Sequence, residues 1–254
     1  MRVVRFDDSG TQRWGLLHDD ETIRVLAGAP WDGGEPTGAR LALRDVRLLA
    51  AATPSKIVCI GRNYAAHAAE LGNQVPKAPL IFLKPPSAIV GPEAPIVLPA
   101  ASQNVQHEAE LALVIGRRAR DLSEEEAAAA VFGHTCLNDV TARDIQREEV
   151  QFTRAKSFDT FCPVGPWIVP GLPAGEVAVR CRVNGQVRQE GSTGQMIHPF
   201  ASLVAFISRV MTLEPGDLIS TGTPAGVGRI EAGDRVEIEI GGVGVLANPV
   251  QAAG

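Results

Sequence analysis

Glu108 and Glu110 stand two residues apart in Gln106-His107-Glu108-Ala109-Glu110-Leu111-Ala112-Leu113-Val114-Ile115-Gly116, at the mouth of a run that becomes apolar on both alternating faces. In a strand over residues 108–115, Glu108, Glu110, Ala112 and Val114 share one face, and His107, Ala109, Leu111, Leu113 and Ile115 share the other. The two carboxylates would then lie roughly 6 to 7 Å apart. A strand that is apolar on both sides belongs in the middle of a sheet. Two like charges entering an interior need a cation, and a hard divalent metal is the most economical one. Pairing with nearby Arg or Lys is the alternative. Asp139 closes the short apolar run 135–138 and is the third oxygen ligand such a metal would take. Three carboxylates with no histidine at ligand spacing favour Mg²⁺ or Mn²⁺ over Zn²⁺.

His67 and Glu70 sit three apart in a short helical segment, 63–71, so they share a face and the carboxylate can orient or charge the imidazole. Beside a metal, such a pair makes a general base for water; elsewhere it is a surface pair. The segment has only Tyr64 and Leu71 as large apolar residues, which makes it poorly suited to permanent packing and expected to order when something docks on it. Lys156, between apolar segments, could hold a substrate carboxylate or an oxyanion. Arg143, Asp144 and Gln146 follow Asp139 closely and could line a pocket or steady the metal ligands, a salt-bridged turn being an equally fair reading. The loop 220–228 offers hydroxyls, Thr223 among them, and backbone NH groups that could bind an anion. It matches neither a P-loop nor a dinucleotide fingerprint.

The elements that must position these groups are mostly strands. An antiparallel meander is expected over 3–6, 13–18 and 22–26, with turns at 7–10 and at Asp19-Asp20, too short to stand alone. Residues 27–39, rich in Gly and Pro, read as a linker, which puts a domain boundary near residue 50 and divides the chain into 1–50 and 51–254. Strands are expected over 57–60, 80–83, 135–138, 164–169, 177–183, 236–240 and 243–247. Two further helices are read: 127–132, behind a capping box at Ser123 to Glu126 and stopped by Gly133, and 200–211, opened by Pro199. The fold class is α+β and β-rich.

Composition narrows the function. A chain of 254 residues with 45% hydrophobic content has ample core. A net charge of -5 with scattered Lys and Arg, and only three Trp and one Tyr, give neither a basic stripe nor a stacking platform, so nucleic acid is not expected as a partner. No apolar run is long enough to span a bilayer and residues 1–8 turn charged early, so a cytoplasmic protein with no membrane association is expected. Cys59, Cys136, Cys162 and Cys181 are far apart and read as reduced, buried thiols.

In order along residues 56–250, the segments Gly61-Arg62-Asn63-Tyr64 with His67 and Glu70, Phe82-Leu83-Lys84-Pro85, His107-Glu108-Ala109-Glu110, Asn138-Asp139-Val140-Thr141-Ala142-Arg143-Asp144, Lys156-Ser157-Phe158-Asp159 and Thr221-Gly222-Thr223-Pro224 resemble the fumarylacetoacetate hydrolase family. The short N-terminal meander is more similar to the compact bacterial members: acylpyruvate hydrolases, oxaloacetate decarboxylases and the 2-hydroxyhepta-2,4-diene-1,7-dioate isomerase type. The resemblance implies a mixed β-sandwich roll, usually a homodimer, with Glu108, Glu110 and Asp139 as metal ligands. It also implies His67 and Glu70 as a catalytic dyad on a lid, with Lys156 as a catalytic residue beside substrate contacts from Arg143, Gln146 and Thr223. The expected activity is carbon–carbon cleavage, by hydrolysis or decarboxylation, of a small 2-oxo or 2,4-dioxo acid with a Mg²⁺ or Mn²⁺ cofactor. Keto–enol isomerisation or decarboxylation in aromatic catabolism uses the same residues. A catalytically silent binding protein is the reading from another class.

Overall fold

The computed structural model describes residues 1–18 and 21–254. Two sheets carry the architecture. The larger runs, in spatial order, Pro36–Ala42, Thr22–Leu26, Thr11–His18, Arg2–Asp8, Cys162–Pro170, Val131–Asn138, Ala109–Ile115, Leu218–Ser220, Ile57–Gly61, Leu80–Lys84, with Arg47–Leu48 and Ile89–Val90 paired beside it. The smaller runs Gln186–Ser192, Ala178–Val183, Arg235–Ile240, Gly244–Ala252, Ile96–Leu98. A third, of three short strands, joins Thr141–Ala142, Val105–His107 and Gly228–Arg229 at the mouth of the site.

The Ala109–Ile115 strand is central and every one of its residues is buried. Its Leu111, Leu113 and Ile115 pack with Val179, Ile238 and Leu246 of the smaller sheet, while Ala112 and Val114 join a separate cluster with Ile57, Leu137 and Leu218. Burial on both faces is what the near-continuous apolar run demanded. The β-rich α+β class is as the residues led one to expect, and the sandwich of sheets is as the resemblance implied. The N-terminal meander is continuous with the large sheet, because Arg2–Asp8 pairs antiparallel with Cys162–Pro170 through Val3 and Ile168. It also has its own apolar cluster of Val4, Phe6, Leu17, Ile23 and Val25. The turn expected at Asp19-Asp20 lies outside the described residues.

The structure corrects three local expectations. The Gly- and Pro-rich stretch 27–39 is not a linker throughout: its end enters the strand Pro36–Ala42, which pairs with Thr22–Leu26. Pro and Gly are tolerated because this is the outermost strand, and an edge leaves one row of backbone donors unneeded. The capping box at Ser123 is formed, but its helix is Glu124–Ala128 and Val131 already belongs to the strand Val131–Asn138. Gly133 therefore lies within a strand and does not stop a helix; a Cβ there would come within 2.4 Å of the Val169 carbonyl oxygen, so the close approach of neighbouring strands requires glycine. Glu108 lies outside any strand, between Val105–His107 and Ala109–Ile115, because the chain leaves the three-stranded sheet there to enter the large one.

Candidate active site

The antiparallel register between Ala109–Ile115 and Val131–Asn138 places Ala109 opposite Asn138. One step outward, Glu108 and Asp139 are therefore neighbours, and the Asp139 amide donates to the Glu108 carbonyl at 2.9 Å. Asn138 strengthens this corner, its Oδ1 accepting from the Glu108 amide at 3.0 Å. Glu110 begins the inward run on the same side, and single ligand oxygens of Glu108, Glu110 and Asp139 all lie within 4.8 Å of one another. All three residues are buried.

Three buried cations answer two of these carboxylates. Arg143, first residue of the helix Arg143–Glu148, donates to Glu108 Oε1, and Lys156 Nζ bridges Glu108 Oε2 at 2.8 Å and Asp139 Oδ2 at 2.6 Å. Lys84, at the end of the strand Leu80–Lys84, reaches Asp139 Oδ1 at 2.6 Å and the Val140 carbonyl at 3.1 Å. Among the described residues Glu110 has no ion pair; it accepts from the Ser220 hydroxyl and, at 2.8 Å, from the Gly222 amide. Pairing with Arg or Lys, the alternative to a metal, thus holds for Glu108 and not for Glu110.

The electrostatic consequence is asymmetric. Burial opposes ionisation of Glu108, but the charges of Lys156 and Arg143 outweigh it and hold the carboxyl well below its usual range. Glu110 is pushed up to about 8, by burial first and then by the charges of Asp139 and Glu108, with the Ser220 hydrogen bond opposing. Burial also works against the Lys156 ammonium, yet Asp139 and Glu108 more than offset it, so Lys156 stays protonated. An all-oxygen, buried donor set with one uncompensated carboxylate fits a hard divalent cation, which would supply the charge that Glu110 lacks.

His67 and Glu70 stand over the same cleft on the helix Ala65–Glu70. The helix is pinned at both ends. Asn63 donates to the Thr221 carbonyl at 2.8 Å and accepts from the His198 amide at 2.9 Å. Glu70 accepts from the Gly226 amide at 3.0 Å, and Gly226 sits at a φ of 99° where a Cβ would meet the Arg188 carbonyl oxygen at 2.3 Å. His67 Nδ1 faces Glu70 Oε2 at 3.4 Å, which places the proton on Nδ1 and leaves Nε2 as the basic nitrogen. Burial pushes the imidazole pKa down, only partly opposed by the Glu108 charge, so it is neutral near pH 7. The helix is better packed than its composition led us to expect, with His67 and Ala68 both buried.

The cleft has a volume of about 270 Å³. Of the residues singled out from the sequence, His67, Glu108, Glu110, Asp139, Arg143, Gln146, Lys156 and Thr223 all line it; Glu70 touches it through His67. Asp144 does not, since its carboxylate caps Ser102 and the Gln103 amide. Thr223 is committed on two sides, donating to the Ala109 carbonyl and accepting from Gln189 Nε2, each at 2.8 Å. Reasoning from residue types missed Gln189, had Ser220 only as part of a loop able to bind an anion, and gave Lys84 no role of its own. The signals for Lys84 were a lone lysine ending an apolar strand-like run and its place in the Phe82-Leu83-Lys84-Pro85 segment.

Residues 56–251 match the family described as fumarylacetoacetate (FAA) hydrolase C-terminal, and residues 1–50 match one described as Rv2993c-like, N-terminal. The chain belongs to the fumarylacetoacetate hydrolase family. It is 52% identical over 233 residues to Protein Rv2993c of Mycobacterium tuberculosis, covering 90% of this chain and 88% of that one. A crystal structure of 5-carboxymethyl-2-hydroxymuconate delta-isomerase from Mycobacterium smegmatis superposes with a TM-score of 0.93 at 46% identity, both chains covered in full. The maleylpyruvate hydrolase of Sphingobium sp. SYK-6, solved with manganese(II) and pyruvate, superposes with a TM-score of 0.81 at 35% identity, again over all of both chains. No helix among the described residues is long and apolar enough to cross a membrane.

The raised pKa of Glu110 gives a signed prediction. Between about pH 4.5, where an unfolded glutamate ionises, and about 8, the folded metal-free protein holds a proton that the unfolded chain has lost, so this group's contribution to stability falls as pH rises through that window. Glu110→Gln should remove that slope. We expect the metal-free variant to melt above the wild type at pH 8 and close to it at pH 5, and to lose most of the melting-temperature increase that Mn²⁺ gives the wild type. Scanning calorimetry at both pH values checks this, and superimposable wild-type and variant profiles would contradict it.

Proposed function

We propose that this chain is a divalent-metal-dependent enzyme that cleaves a carbon–carbon bond in a small 2-oxo or 2,4-dioxo acid, by hydrolysis or decarboxylation, through an enolate. The observation that carries this reading is the uncompensated carboxylate of Glu110, within 4.8 Å of the ligand oxygens of Glu108 and Asp139, on the floor of a cleft roofed by His67. Glu108, Glu110 and Asp139 would hold Mg²⁺ or Mn²⁺, and the bound cation would supply Lewis-acid stabilisation of charge on a substrate oxygen.

The remaining work falls to the chain's own groups. Arg143 and Gln146, which bond to each other at the cleft wall, orient the substrate's carboxylate end. Lys156 keeps Glu108 and Asp139 from repelling each other and presents a fixed positive charge towards developing negative charge on the substrate. Thr223 has its proton engaged by Ala109, so it offers substrate a lone pair and not a donor. For a 4-oxo substrate, His67 Nε2 takes a proton from water while Glu70 holds the proton on Nδ1 and stabilises the imidazolium that forms. For a 4-carboxylate, carbon dioxide departs and no water needs activating. The second reading, keto–enol isomerisation, uses His67 as a proton shuttle alone and is favoured by the isomerase name of the M. smegmatis relative.

We further propose that catalysis resides in residues 51–254 with residues 1–50 as a structural appendage, and that the protein is a cytoplasmic homodimer. Sedimentation at micromolar concentration should give about twice the chain mass of 26.9 kDa; a monomer alone would refute the dimer.

Excess chelator should abolish turnover and added Mg²⁺ or Mn²⁺ should restore it; full activity in chelator would sink the reading. His67→Ala should lower hydrolysis of a 2,4-dioxo acid by about 10² to 10⁴ and decarboxylation of oxaloacetate far less, because general base catalysis is worth that much only where water attacks. Equal losses in steady-state assays of the two reactions would remove the water-activating role.

A further inference from the structure

The strand that carries the acidic cluster loses a neighbour where its carboxylates begin. Its Ala112, Leu113 and Val114 pair with Leu218–Ser220, and Thr221 still reaches it, donating from its amide to the Leu111 carbonyl at 3.1 Å. The chain then turns away at Gly222, whose φ of 95° ends the extended backbone. Ala109, the residue between Glu108 and Glu110, is left without a strand on that side. On the other side it faces Asn138, but the hydrogen bond there runs from the Asp139 amide to the Glu108 carbonyl. In an antiparallel pair that pattern turns the N–H and C=O of Ala109 itself away from Asn138. Ala109 is fully buried, so both groups need partners.

Gln189 supplies them from the smaller sheet, where it is the only buried residue of the edge strand Gln186–Ser192. Its Oε1 accepts from the Ala109 amide and from His107 Nδ1, each at 2.9 Å. Its Nε2 donates to Thr223 Oγ1 at 2.8 Å and to the Pro224 carbonyl at 2.7 Å. All four positions of the amide are used. The partners also fix its orientation, since an N–H can only donate and a carbonyl only accept: oxygen must face Ala109 and nitrogen Pro224. Thr223 closes the circuit by donating to the Ala109 carbonyl at 2.8 Å. Ala109, Gln189 and Thr223 thus form a ring of three hydrogen bonds, joining residues 80 and 34 positions from Gln189 in the chain. The loop lies directly on this strand, because a Cβ at Gly191 would come within 2.6 Å of Pro224 Cβ.

We infer that Gln189 is a positioning residue for the metal ligands, acting with Thr223 in place of the absent strand to hold the backbone at Ala109 extended. Glu108 and Glu110, one residue to either side, then emerge on the same face. Gln189 does not line the cleft and bonds to none of the three carboxylates; it acts through the peptide between two of them. Thr223, which does line the cleft, is committed to that peptide before any substrate arrives. Without either side chain Ala109 keeps a buried, unpaired backbone group, and the rotation that relieves it moves both ligands at once. The role rests on the metal binding proposed above.

Mn²⁺ affinity is measured calorimetrically on the whole chain without substrate, beside the melting temperature of the metal-free protein. Gln189→Met, close in size and unable to donate or accept in the ring, should weaken Mn²⁺ binding about 10- to 100-fold. Thr223→Val should also weaken it, although no substrate is present, and Thr223→Ser, which keeps the hydroxyl, should bind as the wild type does. The double variant Gln189→Met with Thr223→Val should lose little more than the worse single one, because each breaks the same ring. Asn248→Leu serves as the comparison for lost stability. Asn248 is a buried amide of the same sheet whose Nδ2 donates to the Gly91 and Ala94 carbonyls at 2.9 and 2.8 Å, so its loss should lower the melting temperature and leave Mn²⁺ affinity unchanged. Wild-type affinity in Gln189→Met or Thr223→Val, additive losses in the double variant, or an equal loss in Asn248→Leu would overturn the positioning role and leave the proposed metal chemistry standing. If Gln189→Met does not fold, the Thr223→Val and Thr223→Ser pair decides, and equal affinities there overturn the role. Wild-type protein that binds no Mn²⁺ would overturn both the role and the chemistry.

Discussion

Everything in this molecule turns on three carboxylates buried at the head of a central strand. Bringing Glu108, Glu110 and Asp139 within 4.8 Å of one another out of water is costly, and the fold meets that cost with an equal number of cations drawn from separate elements. The cancellation is uneven in space. Glu108 and Asp139 are each held by two positive groups, and Glu110 has only a hydroxyl and an amide. A site built for stability alone would have neutralised all three, or replaced them with apolar residues of similar size. Without a cation of its own Glu110 keeps its proton up to about pH 8, and a divalent ion would bind there by displacing it.

That requirement explains the surrounding architecture. The carboxylates need rigid backbone, which the sheet gives: the Ala109–Ile115 strand is buried on both faces and its neighbours set the register to the residue. The cations need to arrive from several directions, and they come from the strand Leu80–Lys84, from the start of the helix Arg143–Glu148 and from the end of the short helix Thr153–Lys156. The His67–Glu70 pair instead sits on a helix of six residues that would not hold together alone. Its ends are held by Asn63 and by the Gly226 amide, so this side of the cleft is secured by a few hydrogen bonds and not by a large apolar face.

The likeness to relatives that share the fold but carry the names of an isomerase and a hydrolase has a physical basis in this arrangement. In the proposed chemistry the floor of the cleft would stabilise negative charge on a substrate oxygen whichever bond then changes. The fate of that charge would depend on whether water reaches the substrate beside His67. In that proposed chemistry the floor would define the class of reaction, and the groups around the cleft mouth the reaction within it.

The residues alone determined a good deal. Alternation along 109–115 marked a strand buried on both sides, Ser123 and Glu126 marked a capping box that is formed, and the carboxylates Glu108, Glu110 and Asp139 marked the cluster that the fold brings together. These are local signals, read from periods of two or 3.6 residues. Tertiary structure decided the rest. Gly133 reads locally as a helix stop, yet a strand runs through it because its neighbour approaches too closely for any Cβ. Lys84 is 55 residues from Asp139 in the chain, and only the pairing of strands carries it there; the register of Ala109 on Asn138 likewise sets Asp139 beside Glu108. Which carboxylate goes without a cation depends on distances between elements. No periodicity encodes those distances, since charge acts through space and not along the sequence.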